Sequence, residues 1–230
     1  MTRQVSATAR APLTRDRVLR AAVTLADETG IDALSMRKLA QVLGVVPMAL
    51  YKHVANKEEL LDGMLDVVVG EIDPPTAAGE DWRAAVRQRI LSARRALRRH
   101  PWASRVLESR AAPTPVVMQY MDSMIGMFRA GGLSVDLTHH VMHAMGSRIL
   151  GFSQELFATP PSAVPPPDEE TARQMAARFP YISEITTRIA HDEASVVGSG
   201  CDDQFEFEFS LDLLLDGFER LRRSHWTSRP

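Results

Sequence analysis

Arg37, Tyr51, Lys52, His53 and Lys57 stand close together in residues 35–57, SMRKLAQVLGVVPMALYKHVANK. Their chemistry is recognition rather than bond-making. A guanidinium such as that of Arg37 can donate two parallel hydrogen bonds to a guanine edge, a contact worth about 1–3 kcal/mol of discrimination. A phenol, an ammonium and an imidazole, as at Tyr51, Lys57 and His53, suit phosphate oxygens, which position a protein on a duplex without specifying sequence. Two plainer readings stay open: Tyr51 as a packed aromatic with its hydroxyl in water, and His53 as a capping or core-edge residue. Between these polar groups lie Pro47, Met48 and Ala49, apolar residues whose natural partners in a major groove are thymine methyls.

Such side chains need two short helices to hold them. Ser35 is an N-cap type, and Met36, Leu39, Ala40 and Leu43 follow at helical spacing. Gly44 supplies the left-handed residue that stops the first helix. Pro47 suits the first turn of the next, where a missing N–H costs little. Leu50 and Val54 give that second helix, read as 47–53, an apolar side, and Ala40 permits a close crossing. This is a helix-turn-helix pattern, whose second helix enters the major groove.

The runs RKLAQVLGV and ALYKHVANKEELLDGM resemble the DNA-binding domain of the TetR family of bacterial repressors. The resemblance implies an all-α fold: an N-terminal three-helix helix-turn-helix DNA-binding domain plus a helical-bundle ligand-binding and dimerisation domain. It implies backbone contacts from Tyr51 and Lys57. The candidate DNA-contacting set is Ser35, Arg37, Pro47, Met48, Ala49, Tyr51, Lys52, His53 and Lys57. The tetracycline repressor has Gln-Pro-Thr where this chain has Pro47-Met48-Ala49, so a different operator is expected. The expected organisation is a flexible arm over 1–13, the DNA-binding domain over 14–56, a connecting helix over 57–73, and the ligand-binding and dimerisation domain over 74–230.

Charge divides along the same line. Residues 1–57 carry nine Lys/Arg against four acids, a balance of +5, within a chain of net charge −2. The remainder therefore carries −7. A basic head on an acidic body fits a module that meets phosphates and a body that does not. Cys201 is the only cysteine, so no intrachain disulfide forms. Residues 1–13 lack the apolar run of a secretory signal, and no segment approaches the roughly 20 apolar residues of a membrane span. A cytoplasmic location without membrane association is expected.

Thr14 reads as the cap of a first helix over Val18, Leu19, Ala22, Val23, Leu25 and Ala26, ended by Gly30. Asn56 and Glu59 form a capping-box-like start to a fourth helix reaching about Ile72. Body helices are expected near 80–99, 101–110, 114–130, 135–157, 169–190 (with Pro180 a breaking point) and 203–223. The proline-rich 159–168 reads as a loop, and Gly198-Ser199-Gly200 as a break. Phe205, Phe207 and Phe209 alternate like a strand, but Phe205, Phe209, Leu213, Leu214, Phe218 and Leu221 continue at helical spacing, so a helix is expected.

The resemblance implies that helices near 135–157 and 203–223 pair with those of a second copy, with Leu211, Leu214, Leu215, Phe218 and Leu221 as the candidate homodimer face. Covering the monomer core is the competing reading. It also implies a small-molecule effector in the body, for which Trp102, Met121, Met124, Met145, Arg148 and Glu155 are candidates. Flexible thioethers line adaptable cavities, but they fill ordinary cores equally well. His139 and His143 are spaced like two metal ligands, yet no further residue completes a set. No metal or cofactor is expected. Nor does the chain contain G-x-S-x-G, a P-loop or a dinucleotide fingerprint. The expected function is a non-enzymatic repressor that binds a pseudo-palindromic operator as a homodimer and is released by an effector. The alternatives are an effector-independent DNA-binding factor and an all-helical enzyme with an accessory helix-turn-helix.

Overall fold

A computed structural model describes residues 12–75, 81–151, 168–181, 183–184 and 203–229. Among the described residues the regular structure is entirely helical. Most of the arm, residues 154, 155, 159–167 and 198–200, and Cys201 lie outside them. The chain divides into two compact units, Met1–Phe152 with Ser228–Pro230, and Ser153–Thr227.

In the first unit, α1 (Arg15–Thr29) begins where the Thr14 hydroxyl accepts the Arg17 N–H, and it stops at Gly30. Its Val18, Leu19, Ala22, Val23, Leu25 and Ala26 are buried. A single 3-10 turn leads to α2 (Met36–Leu43), capped by Ser35, whose hydroxyl accepts the Lys38 N–H at 3.2 Å. Gly44 ends α2 in the left-handed conformation, φ 65° and ψ 38°, which a β-carbon would penalise. Helix α3 (Pro47–Leu50) follows with Pro47 at its first turn.

Helix α4 (Lys57–Val69) starts at Asn56, whose side chain accepts the Glu59 N–H at 2.8 Å. Glu59 reaches back to the Ala55 N–H at 2.6 Å, one residue earlier than in a standard capping box. Helices α1 and α4 approach closely at Gly63, where a β-carbon would stand 2.6 Å from a Leu19 methyl. The body continues with α5 (Trp82–Arg99), α6 (Trp102–Glu108), α7 (Pro115–Ala130) and α8 (Val135–Met145). Helix α4 packs on α1 at one side and on α5, α6 and α7 at the other. One apolar cluster runs from α1 through α4 to Ala96, Trp102, Ala103 and Val106.

In the second unit, α9 (Glu169–Arg178) is capped by Asp168, and α10 spans Asp203–Arg223. Phe207, Leu211, Leu215 and Phe218 of α10 are buried, whereas Phe205, Phe209 and Leu213 are each more than half exposed.

Helices α3 and α8 end short of expectation, and α4 stops at Val69 rather than near Ile72. Helix α3 ends at Leu50, and residues 51–53 continue as turns held by the Leu50 carbonyl. Helix α8 stops at Met145, because Gly146 takes φ 44° and ψ −122°, and a 3-10 helix, Gly146–Leu150, replaces the expected continuation. Helix α9 stops at Arg178, at the break expected near Pro180, because Phe179, preceding that proline, is held out of the helical region at φ −129° and ψ 65°.

Candidate nucleic-acid interface

Helix α3 and the turn after it are set on their support by apolar contacts from below. Leu50 and Val54 are buried together with Leu39, Ala40 and Leu43 of α2, fixing the angle at which α3 leaves the turn. A polar clasp holds it from the side. The Arg15 guanidinium donates to the His53 carbonyl at 2.8 Å and to the Glu59 carboxylate at 2.7 Å. One side chain of α1 thus joins the end of the reading turn to the start of α4. Glu59 is held below the ordinary carboxylate range, first by the Ala55 N–H and then, against partial desolvation, by Arg15. Arg15 was legible in the sequence only as one more basic residue, because its partners lie 38 and 44 positions away.

What faces outward is mixed. Arg37, Pro47, Tyr51, Lys52 and Lys57 are exposed, and Ala49 and His53 are half-buried. Ser35 is exposed with its oxygen engaged as the α2 cap, leaving its O–H to donate. Among them stand Val46 at 68% and Met48 at 71% exposure, with Val42 of α2 exposed beside the turn in sequence. Val42 and Val46 were not singled out from the sequence. The available signal was a β-branched apolar residue at positions where the helical pattern required none.

Helix α4 carries a second feature, an acidic row. Glu58, Asp62 and Asp66 recur every four residues on one helical face. Arg110 donates to Glu58 and, at 3.4 Å, to Asp62, while the Thr114 hydroxyl donates to Asp66 at 2.6 Å. Beyond the helix, Arg99 donates to Glu71 at 2.7 Å and Arg95 to Asp73 at 2.8 Å. Helix α1 joins the same seam. Asp27 accepts the Trp102 indole N–H at 2.7 Å and faces Nδ1 of the buried His100 at 2.9 Å, and Nε2 of that ring lies 3.3 Å from Glu71. Arg105 donates to Asp32 at 2.5 Å. Helix α4 and the segment after it are therefore bonded to the body at Glu58, Asp62, Asp66, Glu71 and Asp73, and the N-terminal helices at Asp27 and Asp32.

The candidate effector residues are dispersed. Trp102 is buried in the seam with its N–H engaged by Asp27. Met124 and Met145 are buried, Met121 and Arg148 are half-buried, and Glu155 lies outside the described residues. A cleft of about 500 Å³ opens elsewhere, beside Asp73, Gln88, Arg89, Leu91 and Arg95. Of the candidate dimer residues, Leu211, Leu215 and Phe218 are buried within the single chain, and Leu214 and Leu221 are half-buried. The exposed histidines His139 and His143 stack edge to face at 4.6 Å, and His140 lies 3.7 Å from Asp136. Among the described residues no group of three or more His, Cys, Asp or Glu gathers in a metal-binding arrangement, and no helix is long and apolar enough to cross a membrane.

Comparison with known proteins gives this arrangement a lineage. Residues 18–64 match the family described as bacterial regulatory proteins, tetR family, and residues 74–222 match the tetracyclin repressor-like, C-terminal domain. The HTH-type transcriptional repressor DrrR1 of Streptomyces coeruleorubidus is 33% identical over 216 residues, covering 91% of this chain and 78% of that protein. A possible TetR family transcriptional regulator from Streptomyces coelicolor A3(2) superposes with a TM-score of 0.69 at 30% identity, over 90% of this chain and 99% of that one. The Streptomyces coelicolor TetR family protein ActR, solved in complex with actinorhodin, superposes with a TM-score of 0.68 at 28% identity, over 91% and 98% of the two chains. With both halves matched and a helix-turn-helix joined to a helical body, the chain belongs to the TetR family of bacterial transcriptional regulators.

Proposed function

We propose that this chain is a repressor that binds a pseudo-palindromic operator as a homodimer and leaves it when a small molecule occupies the body. The observation that carries the reading is the outer surface of α2 and α3, where exposed cations surround exposed apolar side chains on a buried, clasped support. In this reading Arg37 reads guanine, and Pro47, Met48 and Ala49, with Val46, lie against thymine methyls. Ser35, Tyr51, Lys52, His53 and Lys57 hold phosphates. Two such heads one helical turn apart, about 34–36 Å, read successive major grooves.

The second copy is assigned to α10. Its row of Phe205, Phe209 and Leu213 is exposed in the single chain, and four-residue spacing lets it meet a partner helix along one stripe. Leu214 and Leu221 flank it. The ActR complex with actinorhodin supports a small-molecule effector by kinship. An effector that binds better to a state with mis-spaced heads lowers operator affinity by its differential affinity. The row of bonds on α4 is the route by which a shift in the body would reach the heads.

A gel shift on palindromic DNA from the region upstream of the gene tests the reading, alongside the double variant Tyr51→Ala, Lys57→Ala. The variant should keep its dimer and melting temperature, lose affinity for every sequence alike, and show a salt slope shallower by about one to two units. Absence of palindrome binding by the parent chain at low salt would overturn it.

A further inference from the structure

We propose that Arg89 anchors a binding site for an acidic small molecule, a carboxylate or phenolate, in the cleft between α5 and the Asp73-Pro74 segment that follows α4. Arg89 is only 8% exposed, and a guanidinium does not escape burial by losing its proton. A buried charge normally stands against an opposite one. Arg110, the other arginine among the described residues with an unpartnered buried Nε, meets Glu58 and Asp62. Arg89 meets no carboxylate among the described residues. It donates to the Asp73 backbone carbonyl at 2.7 Å and to the Ser123 hydroxyl at 3.0 Å. Its guanidinium carbon lies 4.9 Å from the centre of the Tyr120 ring, and its Nε, buried, has no partner. The groups it touches, a backbone carbonyl, a hydroxyl and a ring, are neutral, so the charge is partly solvated by dipoles and a π face with no carboxylate bonded to it. Burial accordingly lowers the arginine's proton affinity.

The space for a counter-charge adjoins it. The cleft is about 500 Å³, within the range of small-molecule sites, and Arg89 is one of its walls. A second cation, Arg95, lines it, with Gln88 as a further donor and Leu91 as an apolar contact. An anion here meets two guanidiniums, whose planar forks match a carboxylate. Arg95 is at present bonded to the Asp73 carboxylate, at 2.8 Å. An acid drawn to Arg89 and Arg95 competes with Asp73, and Asp73 closes the segment that follows α4. Occupancy would thereby loosen the body's hold on the connecting helix. This consequence rests on the reading of the chain as an effector-released repressor; the acid site itself does not.

The test is calorimetric titration of the full chain with benzoate and 2-naphthoate, each against its neutral amide, benzamide and 2-naphthamide. Expected is binding of an acid with affinity at least about tenfold above its amide, the scale of one charge-assisted hydrogen bond. Arg89→Gln should remove that preference, Arg89→Lys should keep part of it, and Arg95→Gln should reduce it less. The acid-over-amide ratio on the unaltered chain needs no variant, so a folding defect in Arg89→Gln leaves the test standing. No acid binding, equal binding of acid and amide, or an unaltered preference in a folded Arg89→Gln would overturn the site. A gel shift with saturating acid then separates the two readings. Acid binding at Arg89 that leaves operator affinity unchanged upholds the site and removes its regulatory consequence. A chain that never binds palindromic DNA sinks the repressor reading without touching the acid titration.

Discussion

The seam behind α4 and the outer face of α3 are built from opposite materials. At the seam, Asp27, Glu71, Asp66, Asp62 and Glu58 each engage a named donor of the body. At the outer face, Val46 and Met48 expose apolar surface to water. The first region spends its polar groups on fixing one part of the chain against another. The second keeps its contacts available for something outside the chain. In the function proposed above, the first would transmit a displacement and the second would meet a partner outside the chain.

The comparison breaks most easily at Asp27. Its carboxylate serves two buried groups at once, the Trp102 indole and the His100 ring. Removing one partner of a buried hydrogen bond costs the desolvation of the group left behind. Asp27→Ala should lower unfolding stability by about 2–3 kcal/mol, read by urea titration. Asp16→Ala is the control, since its bond to Arg20 lies on an exposed helix surface and its loss should leave stability nearly unchanged. Equal effects from the two would mean that water replaces the seam's bonds freely, and the contrast between the regions would fail.

A smaller effect comes from acid. Burial would raise the Glu71 carboxyl, but hydrogen bonds from Arg99 and His100, and their charges, outweigh it and hold the group below its ordinary 4.5. A carboxylate depressed in the folded state binds protons more readily when unfolded. Its contribution is therefore present above pH 4.5 and lost as pH falls through the folded value. Glu71→Gln should flatten the acid limb of the melting-temperature profile below about pH 4.5 and leave the slope near neutrality unchanged. Because the side chain is about one-third exposed, solvent screening keeps this loss well under that of Asp27→Ala. An acid limb identical in the variant would exclude Glu71 as a pH-sensitive member of the seam.

Legibility in the sequence followed the range of the interactions. Thr14, Ser35 and Asn56 act on backbone N–H groups three residues ahead, and all three caps stand where the pattern put them. Gly44 and Pro47 act within their own turn and were equally clear. Helical spacing carried α10 past the misleading alternation of its phenylalanines. It did not tell which stripe of that helix the chain itself covers: Leu211 and Leu215 went inside, while Phe209 and Leu213 stayed out. Both stripes are apolar at the same period, so periodicity cannot rank them. The seam was invisible for a different reason. Asp27 and Trp102 are 75 residues apart, and Glu58, Asp62 and Asp66 look like any solvated helix face until Arg110 and Thr114 arrive against them. Arg89 is the extreme case, a cation on a helix rich in cations whose burial no local pattern announces.

The finest probe of the contrast is Met48. Its exposed side chain costs hydration free energy that a protein partner could relieve in many ways, but a major groove offers only one common apolar group, the thymine methyl. Deoxyuridine in place of thymidine removes that methyl and leaves the base-pairing edge intact. One position at a time through the operator, this substitution should weaken binding by about 0.5–1 kcal/mol where Met48 or Val46 makes contact, the scale of one buried methyl group. Met48→Ala should weaken thymidine operators by a similar amount and erase the thymidine-over-deoxyuridine difference at its own position alone. Stability should stay level, because an exposed side chain supports nothing within the chain. A Met48→Ala protein that still distinguishes the two bases at every position would show that the apolar face of α3 is not read by methyl contact. The exposed valines and methionine would then need another partner, and the division between a sealed seam and an open reading face would rest on the cations alone.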